Sequence, residues 1–203
     1  MRPQPGAPLV ACALGIEARA LREARPVRTG MGPERAERAL RRALAEPAHA
    51  PSGVVFAGLG ASAVPGIRPG DVVIATEVRD DRGVAALLPV NDVDGDWAAD
   101  GLRGLGLTVH RGVLHSSDHV VRGPERTRLA DAGVTCVDME TAAAFRAARE
   151  LVPDGLPLLA VRVVVDTPEY ELARPATLLN GPRALRALKQ VGLVLATWHP
   201  QFC

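Results

Sequence analysis

The chain has 203 residues, of which 47% are hydrophobic and 23% charged, and its formal net charge is +1. This length fits one sizeable domain, so we expect residues 1–203 to form a single domain. No apolar run approaches the roughly 18–20 residues that cross a bilayer, and the near-neutral charge disfavours general nucleic-acid binding.

The three cysteines, Cys12, Cys136 and Cys203, are far apart, odd in number and outside any C-x-x-C pattern. They predict neither a disulfide scaffold nor a zinc ribbon, so a reducing cytoplasm fits best and no metal is expected. The N-terminal segment is polar and rich in proline, which predicts no targeting signal.

Apolar runs and helix-favouring segments alternate along the chain. Strands are predicted at Leu9–Leu14, Val54–Gly58, Asp71–Thr76, Thr108–His115 and Leu156–Val165, and helices at Glu17–Arg22, Pro33–Ala45, Met139–Leu151 and Pro182–Thr197. Residues 79–106 carry scattered Asp, Gly and Arg, and we interpret them as either a surface excursion or a lid. The alternation predicts the α/β class, as a single-domain α/β/α sandwich with a central mixed sheet.

Carboxylates stand where predicted strands end or helices begin, which is the usual place for functional groups in an α/β sheet. Asp166 follows a long apolar run, so partial desolvation favours its neutral form and makes it a candidate proton donor. The alternative is an aspartate that only caps the following turn. Glu17, Asp138 and Glu140 lie near predicted helix starts, where they can also be simple caps.

Two short glycine turns, Gly30–Gly32 and Gly58–Gly60, can each hold an anion on backbone N–H groups, although both also fit ordinary tight turns. Neither matches a dinucleotide or ATP fingerprint, so no cofactor is expected. His115 and His119 flank Ser116–Asp118. A metal set lacks a third ligand at suitable spacing, and no G-x-S-x-G nucleophile elbow is present.

Six segments, taken in order, carry a resemblance to a known family. They are Gly15–Glu17, Thr29–Gly32, Phe56–Gly58, Ile67–Val73, Val137–Ala143 and Val161–Asp166. Together they resemble the purine nucleoside phosphorylase and nucleosidase superfamily, in the branch of methylthioadenosine/S-adenosylhomocysteine nucleosidases. The Met-Glu helix start and the Arg-x-x-x-Asp strand end are its most specific features.

The resemblance implies a role for each matching residue. Asp166 would protonate the departing purine at N7, Glu140 would hold the ribose hydroxyls, Met139 would pack on the sugar, and Glu17 would orient the attacking water. Such roles suit the chemistry, because cleavage of an N-glycosidic bond develops positive charge on the ribose and negative charge on the purine.

The resemblance further assigns substrate contacts to Asp138, Val120, Val121 and Gly58. Residues 117–121 would form the strand that binds the base, with backbone groups of Val121 against the purine edge. It also implies a homo-oligomer, and we expect a dimer.

The sequence departs from the family pattern at several positions. Val165 replaces a frequent Ser before the catalytic Asp, Asp138 replaces the first Glu of a Glu-Met-Glu triplet, and Val120 replaces an aromatic residue. Phosphorylases place Arg and Ser at the positions of Phe56 and Leu59, so we predict hydrolysis. If phosphate is nevertheless used, Arg19 is a candidate replacement for the missing charge.

In its short length and its motif sequences, the chain is most similar to the nucleoside phosphorylase-like proteins of hopanoid biosynthesis. This resemblance implies a lipid-linked substrate, adenosylhopane. Apolar residues expected to line the tail groove are Ile16, residues 85–90 and residues 168–179; the alternative is that they are ordinary core or an oligomer contact. Alternatives are a methylthioadenosine/S-adenosylhomocysteine nucleosidase, a futalosine hydrolase, a phosphate-dependent phosphorylase and a catalytically silent nucleoside-binding protein.

Overall fold

The computed structural model describes residues 6–45, 51–88, 93–152, 156–168 and 177–200. Eight strands in these residues pair into one sheet. The strands are β1 (Leu9–Cys12), β2 (Val27–Arg28), β3 (Val54–Ser62), β4 (Val72–Asp80), β5 (Gly83–Leu87), β6 (Val109–Ser116), β7 (Val134–Asp138) and β8 (Leu158–Asp166). The helices are α1 (Gly15–Ala20), α2 (Pro33–Leu44), α3 (Val93–Gly104), α4 (Gly123–Asp131), α5 (Thr141–Leu151) and α6 (Thr177–Leu195), with a 3-10 turn at Arg22–Ala24.

The sheet is mixed and curls on itself. Its order is β2-β1-β3-β7-β6-β4-β5, and β8 pairs with both β3 and β4, which closes a ring of five strands. Strands β1, β3 and β8 are parallel, so their carboxyl ends meet at one edge. At that edge the register of β3 shifts between Gly60 and Ala61, where Ala61 pairs with Val137 of β7 and Asp166 of β8. This shift brings the ends of β7 and β8 together.

Helices cover both faces of the sheet. One core, against α2 and α5, contains Leu40, Phe56 and Phe145. The other, against α1, α3 and α6, contains Leu21 and Trp198. The predicted α/β/α sandwich with a central mixed sheet is confirmed.

The apolar runs identified five strands correctly, and β3 and β4 extend beyond their predicted ends. Residues 79–106 were interpreted wrongly as a surface excursion or lid. Within their described part they complete β4, form β5 antiparallel to it and form α3. The reason is that Ala85, Ala86 and Leu88 belong to the core. Residues 117–121, expected as a strand, form a loop between β6 and α4.

The structure describes two features considered in the sequence analysis, the cysteines and the membrane spans. Cys12 and Cys136 are buried free thiols, and burial is the main cause that raises the pKa of each to about 12. Cys203 lies outside the described residues. No helix in the described ranges is long and apolar enough to cross a membrane.

Candidate active site

A cavity of about 330 Å³ opens at the edge where β1, β3, β7 and β8 end. Its described lining includes four carboxylate residues and one histidine but no arginine or lysine. The carboxylate residues are Glu17, Asp138, Glu140 and Asp166. The other lining residues are Ala13, Leu14, Met31, Leu59, Gly60, Ala61, His119, Val120, Val121, Val137, Met139 and Val165. The cavity therefore combines apolar walls with several acidic groups.

Glu17, on α1, is buried, and its carboxylate is held by three backbone N–H groups. Ala13 and Leu14 donate to Oε2 at 3.0 and 2.8 Å, and Leu59 donates to Oε1 at 2.7 Å. Gly58–Gly60, which also fitted a tight turn, lies within β3 instead. Leu59, between these glycines, donates its N–H group to an anion, and that anion is the protein's own carboxylate. These hydrogen bonds fix Glu17 at the floor of the cavity.

Glu140 is held in a similar way by the turn Gly30–Gly32. The N–H of Gly32 donates to Oε1 at 2.9 Å, and the N–H of Met139 donates to Oε2 at 3.3 Å. Burial, followed by repulsion from Asp138, raises the pKa of Glu140 from its ordinary 4.5 to about 7. Glu140 therefore changes charge near neutral pH while lining the cavity.

Gly58, predicted to contact substrate, is not among the residues that line the cavity. A Cβ atom at this position would lie 2.7 Å from Nη1 of Arg162 and 2.7 Å from Oε1 of Glu17. Glycine is required here because two charged side chains converge on the backbone of β3. Its role is to leave room for these side chains behind the site.

Arg162 lies in the middle of β8, is only 1% exposed and provides the cation of this buried cluster. Its Nη2 donates to Oδ2 of Asp138 and to Oγ1 of Thr141, and its guanidinium lies 4.8 Å from the ring centroid of Phe56. Burial opposes the charged form, but Asp138, Glu140 and Glu17 together raise the pKa of Arg162. Its sequence signal was a single arginine within an apolar strand.

Asp138 lines the cavity, but both of its carboxylate oxygens have intramolecular partners. Oδ1 accepts from the hydroxyl of Ser116, and Oδ2 accepts from Arg162 and from the hydroxyl and N–H of Thr141. It therefore anchors the start of α5 and neutralises Arg162. The substrate contact predicted for it stays a prediction.

Asp166, at the end of β8, is 1% exposed and forms an ion pair that the sequence did not indicate. Nη2 of Arg126, on α4, lies 2.7 Å from its Oδ2. The sequence analysis considered only the burial of this carboxyl and did not include the cation beside it. Arg126 was missed because α4 was not predicted.

The loop after β6 supplies one wall of the cavity. Val120 is 49% exposed, whereas Val121 is buried, and its carbonyl accepts a 3.1 Å hydrogen bond from Arg126. His119 contacts Asp118 through Nδ1 at 2.6 Å and Glu125 through Nε2 at 3.0 Å. Its hydrogen bond to Asp118, followed by that to Glu125, raises its pKa.

The metal interpretation gains no geometric support from His115 and His119. In the part of the chain that the structure describes, no group of three or more His, Cys, Asp or Glu residues is arranged to hold a metal ion. Nε2 of His115 instead lies 3.5 Å from Oδ1 of Asp81.

Among the residues that the structure describes, the predicted tail lining does not reach the cavity. Ile16 and Arg19 line a separate groove between α1 and α6. Ala85, Ala86 and Leu88 are core residues, so their assignment to a substrate groove was wrong. Residues 89–90 and 169–176 lie outside the described residues.

Three other apolar side chains form the rim of the cavity. Leu14, Met31 and Val120 all line it and remain 37%, 54% and 49% exposed. Large apolar side chains that stay exposed around a cavity are typical of a binding surface. The N–H group of Leu14 itself donates to Glu17, and Met31 precedes Gly32, whose N–H group donates to Glu140.

Solved structures share this fold over nearly the whole chain. Futalosine hydrolase of Helicobacter pylori is 13% identical, with a TM-score of 0.75 over 94% of this chain and 97% of that one. The 5′-methylthioadenosine/S-adenosylhomocysteine nucleosidase of Neisseria meningitidis, in complex with methylthio-immucillin-A, is 21% identical, with a TM-score of 0.72 over 94% and 97%. The corresponding nucleosidase of Campylobacter jejuni is 12% identical, with a TM-score of 0.74 over 95% and 100%.

No curated protein sequence matches the chain. A family model does match it, over residues 23–196, and that model describes the phosphorylase superfamily. The matched range contains β2 to β8 and every site residue discussed above except those at β1 and α1. The mixed sheet, the cavity at its edge and this match lead to one conclusion: the chain belongs to the phosphorylase superfamily.

Proposed function

We propose that the protein is a purine nucleosidase that hydrolyses the N-glycosidic bond of an adenosine with an apolar 5′ substituent and releases adenine. The observation that carries this proposal is the charge of the cavity. Its described lining holds four carboxylates and neither arginine nor lysine. Carboxylates beside the ribose stabilise a ribosyl cation, and this lining offers inorganic phosphate no arginine or lysine to bind.

The proposed reaction uses three carboxyl groups in separate roles. Glu17 accepts a proton from water as the water oxygen attacks C1′ of the ribose. The bond between C1′ and purine N9 breaks, its electron pair passes to the purine, and Asp166 donates a proton to purine N7. Glu140 accepts hydrogen bonds from the ribose hydroxyls. Placement of Glu17 and Glu140 by backbone N–H groups supports these roles, because fixed carboxylates need no reorganisation during reaction.

Hydrolysis is favoured over phosphorolysis by the positions of the nearby arginines. A phosphate site needs donors that an anion can use, and Phe56 instead lies under Arg162 in the core. Arg162 is itself engaged by Asp138 and Thr141. Arg19, the candidate replacement, lines the separate groove between α1 and α6.

The apolar rim supports a hydrocarbon 5′ substituent. Met31 lies between the two glycines of the turn that holds Glu140, which places it beside the proposed ribose site. A tail leaving C5′ would pass Met31 and Leu14 toward solvent, and burial contributes about 0.8 kcal/mol per CH₂ group. Because the sequence also resembles the hopanoid-biosynthesis proteins, adenosylhopane, cleaved to adenine and ribosylhopane, is our preferred substrate.

The test is product analysis by chromatography after incubation of the pure protein with adenosylhopane in detergent, methylthioadenosine or S-adenosylhomocysteine. We expect adenine and a ribose that keeps its 5′ substituent and carries no phosphate at C1′. The rate of this reaction should not depend on the phosphate concentration. A ribose-1-phosphate product, formed faster as phosphate increases, would contradict hydrolysis. A higher kcat/KM for methylthioadenosine than for adenosylhopane would exclude the hopanoid substrate and retain a general nucleosidase.

A second candidate is a nucleosidase for a small thioether or for futalosine, since the similar structures carry those names. Futalosine in the same assay distinguishes that case. Bound but uncleaved nucleoside would identify a silent binding protein. We also propose a cytoplasmic homodimer that uses no cofactor, and sedimentation of the pure protein tests its oligomeric state.

A further inference from the structure

Arg126 is the one buried residue of α4 and one of the most buried charged residues in the described chain. It is 2% exposed, while Thr127 and Arg128 beside it are exposed. An unpaired buried guanidinium is strongly unfavourable, so its partners explain its position. Those partners are both at the cavity. Nη2 donates to Oδ2 of Asp166 at 2.7 Å and to the carbonyl of Val121 at 3.1 Å.

We infer that Arg126 is a positioning residue that fixes the carboxyl of Asp166 against the loop of residues 117–122 and stabilises this carboxyl after it has released its proton. The inference rests on the function proposed above. It assigns to Arg126 an effect that passes through Asp166, since Arg126 itself is not among the residues lining the cavity.

The geometry supports the positioning part of this inference. Asp166 ends β8, and Val121 lies in the loop before α4, so these two wall segments are 45 residues apart in sequence. A single nitrogen of Arg126 is hydrogen-bonded to both. A purine base held between Val120 and Asp166 would therefore contact both wall segments, and Arg126 determines the distance between those segments.

The chemistry supports the electrostatic part. When Asp166 donates its proton to the purine, a negative charge forms on a carboxyl that is 1% exposed and has little access to water. Arg126 is already in place to stabilise that charge. Because the attraction is stronger for the carboxylate than for the protonated acid, it lowers the barrier more than it strengthens substrate binding.

Arg126→Met removes the charge and the donors while keeping a long apolar side chain. We expect kcat to fall roughly 10- to 100-fold, with KM changing several-fold less. Arg126→Lys retains the charge and should recover part of the loss. Arg128→Met, on the exposed face of the same helix, is the matched control and should leave kcat unchanged.

The decisive comparison repeats Arg126→Met in the Asp166→Asn background. A residue that acts through Asp166 should have almost no further effect there, about twofold or less. If the substitution lowers the residual activity by the same factor as in the wild type, Arg126 acts only through folding or the loop, and the inference is wrong. If Arg126→Met fails to fold, Arg126→Lys carries the same comparison.

Adenine binding, measured by calorimetry on the same four combinations, gives a readout that does not need turnover. We expect Arg126→Met to weaken adenine binding in the wild type but not in the Asp166→Asn background. Binding with this coupling but without cleavage of any adenosine would refute the proposed hydrolysis and retain the inference. Binding without coupling would refute the inference, and no adenine binding at all would refute both.

Discussion

The raised pKa of Glu140 predicts a measurable effect of pH on folding stability. Its carboxyl is buried and repelled by Asp138, and its pKa rises from 4.5 to about 7 on folding. Between these two values the folded protein binds more protons at Glu140 than the unfolded chain does. The contribution of Glu140 to the free energy of unfolding is therefore favourable at low pH and is lost as the pH rises from 4.5 to 7.

The size of this loss follows from the interval between the two pKa values. At about 1.4 kcal/mol per pH unit, the shift from 4.5 to about 7 corresponds to on the order of 3 kcal/mol. Glu140→Gln keeps the shape and an oxygen for the Gly32 N–H but stays neutral at every pH. Part of this loss has already occurred at pH 5, so the stability of this variant relative to wild type should rise by on the order of 2.5 kcal/mol between pH 5 and pH 8.

Urea unfolding at several pH values, followed by tryptophan fluorescence, measures this difference. Subtracting wild type from variant removes the contributions of other titrating groups. Glu34→Gln, an exposed glutamate on α2, is the matched control and should give a difference within about 0.5 kcal/mol at every pH. A difference for Glu140→Gln that stays constant from pH 5 to pH 8 would refute the pKa argument.

Three further substitutions test the site. Asp166→Asn should lower kcat roughly 100-fold or more while the fold survives, and near-normal turnover would remove Asp166 from the mechanism. Arg162→Met leaves three nearby carboxylates without their buried cation. The free energy of unfolding, measured by urea titration at pH 8, should fall by about 3–5 kcal/mol. A fall of less than about 1 kcal/mol would contradict the ion cluster. Gly58→Ala brings a Cβ to 2.7 Å from two charged atoms and should lower the free energy of unfolding by about 1–3 kcal/mol. The control Gly181→Ala, which has open space around it in α6, should be neutral or stabilising. Equal effects of the two substitutions would refute the packing role of Gly58.

Much of the fold was predictable because local signals agreed with it. The apolar runs that became β1, β3, β8 and the first half of β4 are buried on both faces of the sheet, so their hydrophobicity is nearly continuous. Short elements lacked that signal. Strand β7, with five residues, and α4, with mostly polar ones, are stabilised by neighbours distant in sequence.

The site was predictable in its acidic residues and not in their partners. Glu17, Glu140 and Asp166 follow from element ends and from the family resemblance, and the structure brings all three to one cavity. Their hydrogen bonds join residues far apart in the chain: Glu17 with Leu59, and Gly32 with Glu140. A glycine turn in the sequence indicates that an anion can bind but not which one.

The sequence by itself determined the α/β class, the family and the candidate acidic residues, because these depend on short segments and on their order along the chain. Tertiary structure decided which charges neutralise one another. Arg162 is paired with Asp138, and Arg126 with Asp166, across 24 and 40 residues of sequence. A buried charge is stable only beside its partner, and the folding of the sheet into a ring, rather than local sequence, brings those partners together.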